Sequence, residues 1–505
     1  MKTNELIIKD FVRGRPQTPA DLAFLKRRAS RKYRISCPSN IELLKAYHSL
    51  LENKSVKRTG TLEILLRTRP IRSLSGIVNV SVLTKPHPCP GKCVYCPTEK
   101  GIPKSYISGE PAVERAKRLK YDPFQQVARR LEMLELEGHP TDKVELRIVG
   151  GTWSYYPKKY QEWFIKRCLE ACKPDQKIVG LSVETRPDFI DLEEIKRLRK
   201  LGVTRVELGV QSIDDAVLDL NLRGHSVQKT IEATKLLKDA GFKVSYQMML
   251  SLPGSSPRKD LEMFRQIFSD PNFQPDLLKI YPCAILKEAP LYRWYLAGKY
   301  RPYPEKTLIK TIKEIKKILP YHVRVERITR DIPSSRIFAG PKKISNLRQA
   351  LAKEIKKEGW TCHCIRCREI KKDYNPKEKL LLQREDYAAS QGREIFLTFE
   401  NAERTKLFSL LRLRIPADPY PRNLRGSAII REVHTFGQLV PISEKKSAPQ
   451  HQGLGKKLIA RAEKIIQKEF RLSKISVIAA VGARGYFRGL GYKLRNAYMV
   501  KNFRL

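Results

Sequence analysis

Between about Ile77 and Ile328 the apolar positions of the chain alternate between two patterns. Short β-branched runs (Val78 to Leu83, Val144 to Val149, Ile178 to Val183, Arg205 to Val210, Lys243 to Met249, Leu277 to Tyr281 and Val323 to Ile328) alternate with stretches of helical spacing. Among the latter are Pro123 to Leu136, Leu192 to Leu201, Val227 to Ala240 and Lys306 to Ile318. Such alternation predicts parallel strands joined by right-handed crossovers. Six or seven units fall short of eight, so a full or partial βα barrel is expected, with chemistry at the C-terminal ends of its strands.

Beyond Gly340 the chain is basic and irregular through Asn375-Pro376, after which the pattern changes. Arg393 to Glu400, Ser427 to Val433 and Gln438 to Pro441 read as antiparallel strands, a loop follows at Ser443 to His451, and Ile475 to Ala480 reads as a further strand. Between loop and strand, Leu458, Ile459, Ala462, Ile465 and Ile466 share one face of a helix from Leu454 to Phe470. Ahead of the barrel, Met1 to about Ser75 reads as small basic helices, with Lys26-Arg27-Arg28, Arg31-Lys32 and Lys57-Arg58 between short apolar stretches. The expected fold class is α/β, with a basic N-terminal segment at 1–75, the barrel at 76–340, a linker at 341–390 and a second α/β domain at 391–505.

Charge narrows the choice of partner. Lysine and arginine number 99 against 53 acidic residues, a net charge of +46, which points to a polyanion. Nucleic acid is the leading reading, an anionic membrane surface the other, and Tyr33 and Tyr47 among the N-terminal basic residues favour an RNA-contacting arm. No apolar run approaches the roughly 18 residues of a membrane span and Met1 to Arg15 lacks a signal-peptide core, so a cytoplasmic protein is expected.

Six of the ten cysteines fall into two clusters. Cys89, Cys93 and Cys96 form C-x3-C-x2-C in a Pro/Gly loop after the first barrel strand. Three such thiolates can hold three irons of a cubane and leave the fourth open; a zinc site completed by His87 is the alternative. This spacing, at this place in a βα barrel, resembles the radical S-adenosylmethionine superfamily. The resemblance implies a [4Fe-4S] cluster chelated by S-adenosylmethionine and able to cleave it to a 5′-deoxyadenosyl radical. Gly150 and Gly151, before Thr152 at the end of the second strand, let backbone approach a ligand and resemble the superfamily's site for the cofactor's amino group. Glu184, Arg186, Glu207, Gln211 and Lys279 lie near the ends of apolar strands, either as barrel-lining ligand contacts, a catalytic role for Lys279 among them, or as salt-bridged structural residues.

Cys362, Cys364 and Cys367 form a C-x-C-x2-C knuckle suited to a structural tetrahedral zinc, with His363, His322 or Cys283 as fourth ligand. Farther on, Gly453, Leu454, Gly455 and Lys456 carry a glycine turn into a helix start, which presents backbone amides to an anion such as a pyrophosphate. With the preceding strand Glu432, Val433, His434 and Thr435, and with Tyr486 and Phe487 near the C-terminus, the set resembles the GNAT-type acetyltransferase fold, whose strand and turn take acetyl-CoA. That fold's proton-donating tyrosine falls at Phe487, which has no proton to give; Tyr486 is adjacent.

Barrel, knuckle and acetyltransferase domain in this order resemble one family, the catalytic subunit of Elongator with its free-standing archaeal and bacterial forms. Ser105-Tyr106, Tyr121-Asp122-Pro123, Glu184-Thr185-Arg186-Pro187-Asp188, Arg330-Asp331-Ile332-Pro333 and Arg431-Glu432-Val433-His434 are among the phrases that carry the likeness, which covers essentially the whole chain. The family implies modification of the wobble uridine of transfer RNA at carbon 5: a carbon radical made from the methyl of acetyl-CoA adds to the uracil, and hydrolysis leaves a carboxymethyl group. It also implies an acetyl-CoA contact at Lys143, and leaves open a homodimer or Elongator-like partner subunits. A protein lysine acetyltransferase with a structural barrel is the alternative; Phe487 and the basic charge speak against it.

Overall fold

Seven β-branched runs pair in chain order into one wholly parallel sheet: β1 (Val78–Leu83), β2 (Lys143–Val149), β3 (Lys177–Thr185), β4 (Arg205–Gln211), β5 (Lys243–Leu250), β6 (Leu277–Pro282) and β8 (Arg324–Arg327). The structure is a computed structural model and describes residues 2–68, 73, 75–341, 347–371, 375, 378–437 and 453–504. The sheet is open, since β1 and β8 form its two edges, and it is thus a partial barrel. β7 (Ile285–Leu286) and β9 (Ile337–Ala339) make a separate ribbon. Alternation sorts each strand's residues: in β2, Val144, Leu146 and Ile148 lie buried under the helices, while Glu145 and Arg147 turn into the lumen.

The N-terminal stretch is a folded unit. Helices α1 (Lys2–Gly14), α2 (Pro19–Tyr33), α3 (Asn40–Glu52) and α4 (Gly60–Leu66) enclose a core of their own around Ile8, Phe11, Leu43, Leu44, Tyr47 and Leu50. Capping boxes at Thr18 and Ser39 start α2 and α3. Arg67 Nε donates to the Gly138 carbonyl at 2.7 Å and ties the unit to the barrel. Lys26 is engaged with Asn40 at 3.0 Å, whereas Arg27 and Arg28 are exposed.

The second sheet begins at Leu381, inside the stretch read as linker: β10 (Leu381–Ala389), β11 (Gly392–Glu400), β12 (Leu407–Ile415), β13 (Ser427–Thr435), β14 (Lys474–Val477), β15 (Lys493–Arg495) and β16 (Tyr498–Asn502), in the order β10-β11-β12-β13-β14-β16-β15. The strand expected over Ile475 to Ala480 stops at Val477, because β13 and β14 pair only from Ser427↔Lys474 to Ile430↔Val477 and then part. Past that point β13 keeps its β12 partner alone. The helix Leu454–Lys468 packs its apolar face on this sheet, as expected. The expected strand Gln438 to Pro441 and loop Ser443 to His451 lie outside the described residues.

The other face of the second sheet meets the N-terminal end of the barrel across a buried ionic seam. Arg431 donates to Asp276 (Nη1–Oδ1 2.9 Å), to Glu394 (3.1 Å) and to the Phe242 carbonyl (2.9 Å). Arg414 binds Asp239 and Glu394 at 2.9 and 3.0 Å, and Arg412 binds Glu432 at 2.9 Å and the His322 carbonyl at 2.6 Å. Lys238 completes the set; burial pulls it down to about 8 against Asp276 and Glu394, which raise it. Removing one partner of a buried network strands the others without water. Arg431→Leu should therefore destabilise the protein by about 3–5 kcal/mol, read as a lower midpoint of urea unfolding; an unchanged midpoint would contradict this account.

Candidate functional site

The cysteine loop follows β1 and sits at the C-terminal end of the sheet. Gly91 lies between its thiols: a Cβ there would stand 3.4 Å from Cys93 Sγ, 3.7 Å from Cys89 Sγ and 2.7 Å from Arg186 Nη1. A side chain at position 91 would thus crowd the space between the thiols. Arg223 Nη1 approaches Cys93 Sγ at 3.5 Å, and Cys89 Sγ lies 3.7 Å from Thr152 Oγ1, at the end of β2. Burial, then Cys93, pushes the Cys96 thiol up to about 12, so a thiolate there needs a cation beside it. The three sulfurs are not drawn within 4.8 Å of one another as those of the second cluster are.

Gly150 and Gly151 adopt φ of +125° and +70°, and a Cβ on Gly150 would overlap Thr84. They border the loop together with Thr152. Arg186 holds Asp188 at 2.9 Å and the carbonyl of Arg223 at 2.8 Å, so it fixes the loop that carries Arg223. Beneath lies a cavity of about 430 Å³ lined by Tyr106, Arg147, Glu184, Gln247, Lys279 and Arg330, among others.

The lumen below that cavity is filled by charge. Arg147 bridges Glu207 and Glu326 at 3.0 and 3.1 Å, and Arg205 bridges Glu145 and Glu326, each at 3.0 Å. Lys279 is ion-paired to Glu207 and lies 3.0 Å from Glu184. Burial works against its charge, but Glu207 and then Glu184 outweigh it and hold the lysine above its ordinary value. Lys279 is therefore held as a cation within this lattice. Glu184 also accepts from Gln247 and from the Tyr106 hydroxyl at 3.1 and 3.0 Å. Lys143 starts β2, at the opposite end of the strand from Gly150.

A second site forms where β13 leaves β14. A Cβ on Gly455 would stand 3.5 Å from both Thr435 Oγ1 and the Tyr486 hydroxyl and 3.9 Å from Val433, so strand, helix start and phenol converge there. Gly453 takes φ +67° at the helix N-cap, next to Leu454 and Lys456 of the first turn. Tyr486 is 44% exposed, and burial of the rest raises its pKa, so it keeps its proton at neutral pH. Phe487 is 3% exposed and packs on Tyr492 in the domain core. Glu432 is spent on Arg412 and Lys243 (3.1 Å), leaving its backbone for any ligand. His434 stacks on Phe436 at 4.3 Å and burial lowers it to about 4.

At the seam, the sulfurs of Cys362, Cys364 and Cys367 lie within 4.8 Å of one another, the convergence a single tetrahedral metal requires. None of the expected fourth ligands joins them: His363 stacks on Tyr321, His322 on Tyr387, and Cys283 is buried in a separate cluster. Lys316 Nζ sits 3.5 Å from Cys367 Sγ instead.

Comparison with known proteins agrees with this geometry. Residues 87–267 match the Radical SAM superfamily and residues 275–357 the Radical_SAM C-terminal domain. The tRNA uridine(34) acetyltransferase of Methanocaldococcus infernus is 42% identical, over 98% of each chain, and the Elongator complex protein 3 of Homo sapiens is 35% identical, over 98% of this chain and 96% of its own. The chain belongs to the Elongator complex protein 3 family. A solved structure of M. infernus Elp3, lacking its N-terminal residues 1–46, is 40% identical with a TM-score of 0.74, and covers 85% of this chain and 100% of that one.

Within this Elongator complex protein 3 relative, the sequence reading had singled out Glu184, Glu207 and Lys279 but not Arg147, Arg205, Glu326 or Arg223. Their signal was present: a charged residue at every second position of an otherwise apolar strand, as in Glu145 and Arg147 of β2. Arg223 carried no such signal, since only the folded loop brings it to Cys93. Gly150→Ala should cut S-adenosylmethionine affinity at least about tenfold, because both the positive φ and Thr84 oppose a Cβ. Gly60→Ala, with open space around it, should leave affinity unchanged; equal affinities for the two variants by calorimetry would refute the assignment.

Proposed function

We propose that this protein modifies carbon 5 of the wobble uridine of transfer RNA, using S-adenosylmethionine and acetyl-CoA to install a carboxymethyl group. The observation that carries this reading is the presence, on one chain, of a bare-backbone cysteine loop over a polar barrel cavity and of a splayed strand whose end at Thr435 lies beside Gly455 and Tyr486. When bound, the iron–sulfur cluster and S-adenosylmethionine supply a 5′-deoxyadenosyl radical able to take hydrogen from an acetyl methyl group.

Each step otherwise rests on the chain's own residues. Cys89, Cys93 and Cys96 would bind three irons, with Arg223 donating to the Cys93 sulfur. Gly150 and Gly151 leave room for the cofactor's amino group. The stretch of β13 from Val433 to Thr435, beyond its pairing with β14, would pair with the pantetheine, and the Gly453–Lys456 turn would hold the pyrophosphate. Tyr486, still protonated, would give its proton to a leaving thiolate, the role Phe487 cannot fill. Cys362, Cys364 and Cys367 would hold a structural zinc that ties the barrel to the second sheet. Exposed Arg27 and Arg28 suit phosphate contacts with transfer RNA in the cytoplasm, and no helix of the described residues is long and apolar enough to cross a membrane. The lysine acetyltransferase reading has no use for the cysteine loop.

Anaerobic incubation of reconstituted enzyme with transfer RNA, S-adenosylmethionine and acetyl-CoA, followed by mass spectrometry of nucleosides, tests the reading. Carboxymethyluridine is expected from the wild type and from neither Cys93→Ser, which replaces a soft iron ligand, nor Gly455→Glu, which puts negative charge where an anion must sit. Product from Cys93→Ser, or rapid RNA-independent acetylation of lysine peptides by it, would overturn the proposal.

Cys364→Ala should lower zinc content and melting temperature together, since the metal's binding energy is folding energy. Unchanged zinc by elemental analysis would rule out the knuckle as the metal site.

A further inference from the structure

We infer that the groove on the outer shoulder of the barrel, between Lys120, Lys159 and Trp163, is an RNA-contact site that stacks an unpaired nucleotide neighbouring the one being modified. The inference rests on the RNA-modifying reading above and adds a place and a mode of contact to it.

A ladder of rings runs from the cysteine loop to solvent. His87, two residues before Cys89, stacks on Tyr156 at 4.6 Å; Tyr156 stacks on Tyr160 at 5.2 Å; Tyr160 lies 5.6 Å from Trp163. The inner rings have structural work, for Tyr156 is buried and bonded to Thr84 at 2.8 Å. Trp163 has little: it is 45% exposed at the end of the ladder. A ring of that size left open beside a groove is a platform with one face unused.

The surrounding charge selects the occupant. Lys85 Nζ lies 4.9 Å over the Tyr160 ring, and Lys85, Lys120 and Lys159 line the groove, all exposed and none ion-paired among the described residues. One carboxylate lines the groove, Asp122, and it is committed to capping the helix Pro123–Leu136 by accepting from Gln125 N at 2.7 Å. That helix and Lys158–Glu170 both start at the end of the sheet where the cysteine loop lies, so their N-terminal turns add positive potential to the same shoulder. Unpaired lysines interleaved with aromatic faces match a single strand, whose phosphates and exposed bases alternate. A duplex keeps its bases stacked on one another and has none to offer such a platform.

The test uses the full-length, cluster-loaded protein and an anticodon stem–loop RNA with 2-aminopurine beside the wobble uridine. Wild-type protein should quench the fluorophore by stacking. Trp163→Ala should abolish the quenching and weaken binding roughly 5- to 150-fold, the range for loss of one base–aromatic stack, while Trp163→Phe should restore most of both. Lys120→Ala with Lys159→Ala should leave quenching by bound RNA intact and make the log–log salt dependence shallower by about 1.4–1.8, for two lost phosphate contacts. If Trp163→Ala binds and quenches as the wild type does, or the lysine pair leaves the slope unchanged, the inference falls while the proposed function stands. If wild-type protein neither binds the RNA nor forms carboxymethyluridine, the functional reading falls with it.

Discussion

The relation between the two sheets depends on a buried layer of charge. Arg412, Arg414 and Arg431 project from adjacent strands of the second sheet into a space closed by Lys238, Asp239 and Asp276 of the barrel, and all are nearly or fully buried. Apolar contact tolerates sliding by an ångström or two; a guanidinium that must reach a carboxylate on one side and a backbone carbonyl on the other does not. The seam thus fixes the register of one domain on the other. It also sits at the N-terminal end of the barrel, opposite the cysteine loop, so it can be rigid without constraining the mouth.

The same solution recurs inside the barrel. A lumen lined by Arg147, Arg205, Glu207, Lys279 and Glu326 is a polar lattice in which every charge answers another across strands. Such a lattice costs desolvation but sets unique side-chain positions. Glu184, held from three sides by Lys279, Gln247 and Tyr106, is the point where this order reaches the cavity. The knuckle adds a third tie: Ile365 N bonds to the Val323 carbonyl beside β8, and Ile370 N to the Leu407 carbonyl of β12, so one short segment touches both sheets.

How much of this was legible in the sequence follows from where polar residues are buried. The barrel strands and the helix Leu454–Lys468 were readable because their outward faces are continuous apolar stripes. Both cysteine clusters and the Gly455 turn were readable from spacing. β12 was not, since Arg412 and Arg414 interrupt its apolar run and only the seam explains them. β10 was hidden by alternation with Gln383, Glu385 and Asp386-bearing positions at an edge, and the independent core of α1–α4 by the surrounding basic residues. That Tyr486 and not Phe487 faces Gly455 is a matter of helix phase within Arg484–Arg488, too short a segment for periodicity to settle.

The parting of β13 and β14 after Ile430 and Val477 has a consequence for selectivity. An unpaired strand at the rim of a sheet attracts any extended chain, including a second copy of the protein. Here the unpaired edge lies in the interior of a sheet, flanked on both sides by strands already in place. Such an opening favours a single extended chain over a folded β-edge, because strands flank it on both sides. An extended chain laid in that opening, as proposed for pantetheine, would complete the sheet, so the edge that would bind it is screened by its own neighbours.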